Sequence, residues 1–350
     1  MDIVDLRSDV LSRPTPAMIE AMVRAASERA YFELREDPRQ RDLEAQMAEL
    51  LGHEDSLLFP TCTMANEVAL QLLTRPGDVV ATPPGAHLVT SEANAPAVLS
   101  GVRVEFLDGD MPMPSIDVWT RAAKREGGTQ KPPVSTFAIE NTHNRAGGAV
   151  VDAASTQALA ELAHEHGKKL HIDGARLFCA AVAQDTAPSE LARHADTVSI
   201  SLNKTLGAPG GAMLVASKAL IDRALVLRHR LGGGFRPTGI LAAAALEAIS
   251  DWPSLHIDNE RAQRLANGLV RLDGIGVIAP ATNLVMILIR KPGLTPRMLC
   301  DNLAANGVLA LPFGEDRIRM AIYREIDEDA VDRTISAVEK SLTVNVELDY

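Results

Sequence analysis

The sequence predicts an α/β protein, with a large domain on a mainly parallel, doubly wound sheet of seven strands and a smaller α+β domain after it. Three observations predict this. Short apolar runs alternate with longer amphipathic segments along the first 250 residues. Several runs are apolar along their whole length, as strands covered by helices on both faces require. After the Ala-rich stretch 241–249, the punctuation Ser250-Asp251-Trp252-Pro253 marks a boundary. The expected units are therefore residues 1–250, including an N-terminal arm, and residues 251–350.

In chain order, Pro14 and Pro16 set the start of a helix expected over 15–30, and a second over 40–51 stops at Gly52. The strands of the large sheet are expected at 56–59, 79–82, 102–107, 135–140, 169–173, 197–201 and 212–215. Those of the smaller unit fall near 276–279, 284–289 and 317–323. Polar, Gly- and Pro-marked loops follow the large-domain strands, where open α/β sheets bind their ligands.

Composition narrows the partners. The chain has 350 residues, enough for more than one core, and 46 acidic against 35 basic groups give a formal charge of -11. With no basic field, nucleic acids and anionic membrane surfaces are excluded, and a small molecule is expected. Aromatics make up 3% of the residues, which argues against base-stacking platforms and aromatic sugar cages. Three cysteines, Cys62, Cys179 and Cys300, indicate neither a disulfide framework nor a Cys-rich zinc site, so a reducing cytoplasm is expected. Residues 1–13 lack an apolar signal core and no apolar run has transmembrane length, so neither export nor membrane insertion is expected.

The most informative segment is Ser199-Ile200-Ser201-Leu202-Asn203-Lys204-Thr205-Leu206-Gly207-Ala208-Pro209-Gly210-Gly211. A lone loop lysine is ordinarily solvated. Lys204, between a strand and a Gly/Pro turn, is placed to form a Schiff base, while hydroxyls such as that of Ser201 offer phosphate contacts. Upstream, Asp173 ends another buried strand in His171-Ile172-Asp173-Gly174-Ala175-Arg176. A pyridoxal phosphate (PLP) site needs an acid facing the ring nitrogen and a lysine at the aldehyde carbon, both from one end of the sheet. Asp173 with Lys204 meets that need. Pro60-Thr61-Cys62-Thr63 lies between a strand and an apolar helix, where free N–H groups favour a phosphate.

Five segments stand in this order, Asp5-Leu6-Arg7-Ser8-Asp9-Val10, Glu140-Asn141-Thr142-His143-Asn144, His171 to Arg176, Asn203 to Pro209 and Gly232-Gly233-Gly234-Phe235-Arg236, in a motif order that runs from Asp5 to about Ile326. Together they resemble the threonine aldolases and β-eliminating lyases of PLP-dependent fold type I, the aspartate-aminotransferase-like superfamily. The resemblance implies that Lys204 is the Schiff-base lysine and that Asp173 pairs with the pyridinium nitrogen. Arg176 would lie near the cofactor's phenolic oxygen and the substrate carboxylate, and His87 would stack on the ring. His87 and His143 are both candidates for the proton transfer, with no choice made between them. Cys62, where relatives usually carry Gly, and Thr63 would hold the phosphate. Ser8 and Arg319 would grip the α-carboxylate, although strand alternation lets Arg317 share the face of Arg319. The Gly232–Gly234 loop with Arg236 would reach the phosphate of a neighbouring subunit, implying a homodimer or homotetramer with active sites at the interface.

Two departures stand out: Tyr323 where the family carries a histidine, and Tyr31-Phe32-Glu33-Leu34-Arg35-Glu36-Asp37-Pro38 where it carries a short Tyr-Gly-Asp-Asp-Pro stretch. His164-Glu165-His166 lacks the helical spacing of metal ligands, so no metal is expected. The implied activity is cleavage of a β-hydroxy-α-amino acid, such as L-threonine or L-allo-threonine, to glycine and an aldehyde. A PLP-dependent β-eliminating lyase or racemase is the alternative on the same scaffold. A non-catalytic PLP-fold binding or regulatory protein is the alternative of another class.

Overall fold

A computed structural model describes residues 3–343; residues 1–2 and 344–350 of the expected units lie outside the described residues. The central sheet has seven strands in the order Asp55–Phe59, Ala212–Ala216, Thr197–Ser201, Lys169–Asp173, Val134–Glu140, Val79–Thr82, Arg103–Phe106. Only Ala212–Ala216 runs antiparallel to its neighbours. The C-terminal ends of the other strands therefore open on one edge of the sheet. A second, four-stranded sheet is antiparallel and combines Leu311–Pro312, Arg317–Ala321, Leu284–Ile289 and Ile275–Ile278.

The apolar strands read from the sequence are buried because helices cover them. Thr197–Ser201 and Ala212–Ala216 are buried at every position. The scarcity of aromatics is met by Ala, Val, Leu and Met packing, with Trp119 edge-on to Phe137 at 4.8 Å as the main ring contact in this core. A separate cluster around the small sheet takes in Val4 and Leu6 from the other end of the chain. There Val4–Asp5 pairs in parallel with Val308–Leu309. The N-terminal arm thus completes the core of the C-terminal sheet.

The first expected helix is shorter than its pattern, running Pro16–Ala26 with Thr15 capping Met18. The next residues form a turn in which the Glu36 carboxylate accepts from the N–H groups of Phe32 and Glu33. Arg35, at φ 63°, is thereby turned inward onto Glu44 and Asp55. The second helix, Pro38–Leu51, starts earlier than expected because Asp37 caps it and Pro38 fits its first turn. It ends at Gly52 in the left-handed conformation. Among the described residues, no helix is long and apolar enough to cross a membrane.

Candidate active site

Five chain crossings bring chemistry to the open edge of the central sheet. Asp55–Phe59 leads to the helix Cys62–Leu73, and Val79–Thr82 leads to His87. Val134–Glu140 leads to His143, Lys169–Asp173 ends on Asp173, and Thr197–Ser201 leads to Lys204. In register, Glu140 lies beside Asp173 and Asp173 beside Ser199.

Lys204 is half-buried in the loop after its strand, where a turn closes by the Gly207 N–H donating to the Lys204 carbonyl at 2.8 Å. Gly207 has φ +74°, and a Cβ there would meet the Arg324 guanidinium and the Ser12 hydroxyl, so the sequence needs glycine at this bend. Asp173 is 3% exposed, and its two oxygens accept from Asn66 Nδ2 at 2.9 Å and the Ala175 N–H at 3.1 Å. The Ser201 hydroxyl donates to Asn203 Oδ1 at 2.9 Å.

At the start of the helix Cys62–Leu73, Thr61 caps the N–H of Met64. The preceding amides, of Cys62 and Thr63, belong to the first turn, which has no intrahelical acceptor, so a helix start of this kind suits an anion. The Cys62 thiol turns to Ser199 Oγ at 3.7 Å, and burial pushes it well above the ordinary thiol range, so it stays protonated. What this turn offers an anion is therefore backbone, the N–H groups of Cys62 and Thr63.

The two histidines, left undecided by the sequence, differ in what they have free. His143 is fully buried; its Nδ1 accepts from the Ala146 N–H at 3.2 Å and its Nε2 meets the Pro84 carbonyl at 3.1 Å. Acceptance at Nδ1 requires the hydrogen on Nε2, so both ring nitrogens are bound to backbone. Among the described residues His87 makes one ring bond, from Nδ1 to Glu92 Oε1 at 2.8 Å, and its backbone N–H donates to Glu140 Oε2. Burial works against the His87 cation, but the Glu92 bond and the charges of Asp173, Glu92 and Glu140 raise its pKa overall.

Arg176 holds Asp9, an acid to which the sequence reading gave no role. The pair is buried and bidentate, Nε to Oδ2 at 2.6 Å and Nη2 to Oδ1 at 2.9 Å. Burial alone would raise Asp9; the Arg176 charge and hydrogen bonds, with Lys204 and Arg319 behind them, hold it at about 2. Asp9 takes the Nε and Nη2 side of the Arg176 guanidinium, as a buried guanidinium needs a counter-charge. The motif Ser8-Asp9 carried the signal, its acid lying just after the serine. Ser8 itself caps Val10 at 3.3 Å.

Arg319 is the inward member of its strand, while Arg317 pairs with Asp316 at the surface. Its guanidinium donates to Asn144 Oδ1 at 2.7 Å and the Arg7 carbonyl at 2.9 Å, and lies 4.6 Å over the Phe313 ring. Nε has no partner. Burial, with Arg176 nearby, lowers it to about 10. A buried cation whose hydrogen bonds go to neutral acceptors suits an incoming carboxylate. Arg236 is exposed, donates to the Phe32 carbonyl at 2.9 Å and stacks over that ring at 5.6 Å. Tyr323, at the family's histidine position, donates to the Asp5 carbonyl at 2.8 Å and fastens the N-terminal arm.

These residues fit PLP. Lys204 stands at the same edge as the buried Asp173 carboxylate and the first-turn amides of Cys62 and Thr63, and its charge is felt by both Asp9 and Cys62. The sequence pattern of the family described as β-eliminating lyase matches residues 5–292. Low-specificity L-threonine aldolase 1 of Arabidopsis thaliana is 36% identical over 348 residues, covering 97% of this chain and 96% of the relative. An alanine racemase of Cochliobolus carbonum is 30% identical over 348 residues, covering 95% and 85%. Among solved structures, the threonine aldolase of Leishmania major superposes with a TM-score of 0.82 at 21% identity, over 96% of this chain and 98% of that one. That likeness identifies the fold as type I.

Proposed function

The chain belongs to the β-eliminating lyase family, and from that membership we propose that it is a PLP-dependent aldolase. Its reaction is cleavage of a β-hydroxy-α-amino acid, such as L-threonine or L-allo-threonine, to glycine and an aldehyde. The observation that carries the reading is the convergence of Lys204, Asp173 and His87 on one sheet edge.

Bound PLP supplies an electron sink for the pair released when the Cα–Cβ bond breaks. Lys204 would hold the cofactor through its side-chain amine. Asp173, kept as an acceptor by Asn66 and the Ala175 amide, favours a proton on the ring nitrogen. The cradle of Cys62 and Thr63 binds the phosphate by backbone, so the side chain at position 62 is free to differ from glycine. Arg319 would take the substrate α-carboxylate, with Ser8 as a second group for it, and so would orient the substrate.

His87 is our base for the β-hydroxyl proton, directly or through one water. Glu92 holds its Nδ1 hydrogen, which leaves the Nε2 lone pair for the substrate. His143 instead ties the loop after Glu140 to the loop before His87. Arg176 acts through Asp9 by holding the start of the N-terminal arm beside the site. The exposed Arg236 and its glycine loop are available to a second copy, and we place active sites at the interface of a homodimer or homotetramer in a reducing cytoplasm.

The purified protein with PLP, incubated with β-hydroxy amino acids, is expected to give glycine and aldehyde in equal amounts. Lys204→Ala should lose the visible band of bound cofactor and lower kcat by on the order of 10³-fold or more. A 2-oxo acid and ammonia without glycine would move the assignment to elimination. Inverted alanine without glycine would move it to racemisation, the activity in the name of the C. carbonum relative.

A further inference from the structure

Behind the cofactor edge lies a closed hydrogen-bond network that meets at one amide. Asn66, on the helix Cys62–Leu73 and 1% exposed, donates from Nδ2 to Glu92 Oε1 and to Asp173 Oδ2, each at 2.9 Å. Its Oδ1 accepts from Ser199 Oγ at 2.5 Å and meets His171 Nε2 at 3.2 Å. A flipped amide would set its oxygen against two carboxylates, so this orientation is fixed by charge. His171 is fully buried and held neutral by that burial, and its Nδ1 bonds Thr197 Oγ1 at 2.9 Å. With Nδ1 accepting, Nε2 donates to Asn66. Every proton in the network points toward the two acids: Cys62 to Ser199, Ser199 and His171 to Asn66, and Asn66 to Glu92 and Asp173.

The two acids need that arrangement. One ligand-type atom from each of His87, Glu92 and Asp173 lies within 4.8 Å of the other two. Glu92 Oε2 is buried and makes no hydrogen bond among the described residues. Buried like charges at such a spacing do not both ionise without shared donors or a shared proton. Asn66 is the shared donor, and His87 Nδ1 carries the proton.

We propose that Asn66 is a positioning residue that couples Glu92 to Asp173, so that the acid holding His87 and the acid facing the cofactor nitrogen depend on one shared donor. The inference deepens the aldolase reading and rests on it for the roles of His87 and Asp173. The charged and titratable groups around the unit are Glu67 and Cys62 on the helix of Asn66, Glu140 on the neighbouring strand, His171 on the strand of Asp173, and Lys204. His171 stays neutral, Cys62 stays protonated, and burial raises Glu67 to about 7. None of these three supplies the positive charge the acids lack.

Removing the amide leaves both acids short of a donor, so the unit draws its proton more tightly onto His87. In Asn66→Ala without PLP, the His87 titration followed by side-chain NMR is expected to move up by about half a pH unit or more. In the enzyme with PLP, the acid limb of kcat/KM should move up by the same amount, with KM changed by less than about threefold. Ser199→Ala, which removes only a donor to the amide oxygen, should give a smaller shift of the same sign.

A His87 midpoint unmoved in folded Asn66→Ala, within about 0.2 pH unit, overturns the coupling. If that variant does not fold, an unmoved midpoint in Ser199→Ala overturns it. The titration is read without cofactor or substrate, so it fails independently of the aldolase assignment, which the product assay decides.

Discussion

At the scale of single residues, the difference between His87 and His143 lies in which ring nitrogen has a partner. Both histidines stood out in the sequence as candidates after apolar strands, and no local pattern separates them. The separation comes from contacts far along the chain: Pro84 occupies His143, while Glu92 leaves half of His87 free. The same holds for Arg176, whose partner Asp9 is 167 positions away. Lys204 and Asp173 were legible because their strand-end positions are local. Glu92 gives the residue-scale prediction. Its carboxylate stabilises the His87 cation, so Glu92→Gln removes an opposite charge and His87 gives up its proton at lower pH. The acid limb of kcat/KM is expected to move down by about one pH unit. A rate profile from about pH 5 to pH 9 measures this, and an upward shift or none would place the active base elsewhere.

At the scale of elements, the helix Cys62–Leu73 joins stability to ligand binding. It carries the cradle at its first turn and Asn66 one turn later, so its start and its register both belong to the site. The seven central strands were read to within a residue, most plainly where a strand buried on both faces is written as an apolar run, as in Val79–Thr82 and Ala212–Ala216; Arg103–Phe106, at the sheet edge, is only partly covered. The missed strands, Val4–Asp5, Val308–Leu309 and Leu311–Pro312, are two residues each and owe their form to partners brought together by the fold. The start of this helix is fixed by its cap, Thr61, whose hydroxyl accepts from the Met64 N–H. Thr61→Ala should cost about 1 kcal/mol in denaturant unfolding of the protein without PLP. It should also weaken PLP retention, because the first-turn amides lose their fixed direction. Loss of stability with unchanged PLP affinity would mean the phosphate binds away from this turn.

At the scale of the whole molecule, the two sheets have separate cores, and charges near the large sheet's open edge also act on the small sheet's first helix. Asp258 sits there, on the helix His256–Leu269, beside a cavity of about 260 Å³ that Thr205, Arg261 and Arg324 also line. Burial lifts its carboxyl to about 7 despite Arg261 and Arg324, with Asp9 and Glu325 adding to the rise. The sequence offered no sign of this, since an acid near a helix start ordinarily reads as a favourable solvated group. The folded state binds this proton more tightly than the unfolded chain. Its contribution to stability is therefore full below the ordinary Asp value and is lost as pH rises toward about 7. Asp258→Asn removes the ionisation and keeps the shape. At about pH 8 the variant should be more stable than the parent by about 2–4 kcal/mol, and the gain should vanish near pH 4. Paired denaturant titrations at the two pH values measure the difference. An equal effect at both would assign the change to packing, and a loss at pH 8 would mean that Arg261 and Arg324 hold Asp258 as a working ion pair between the two cores.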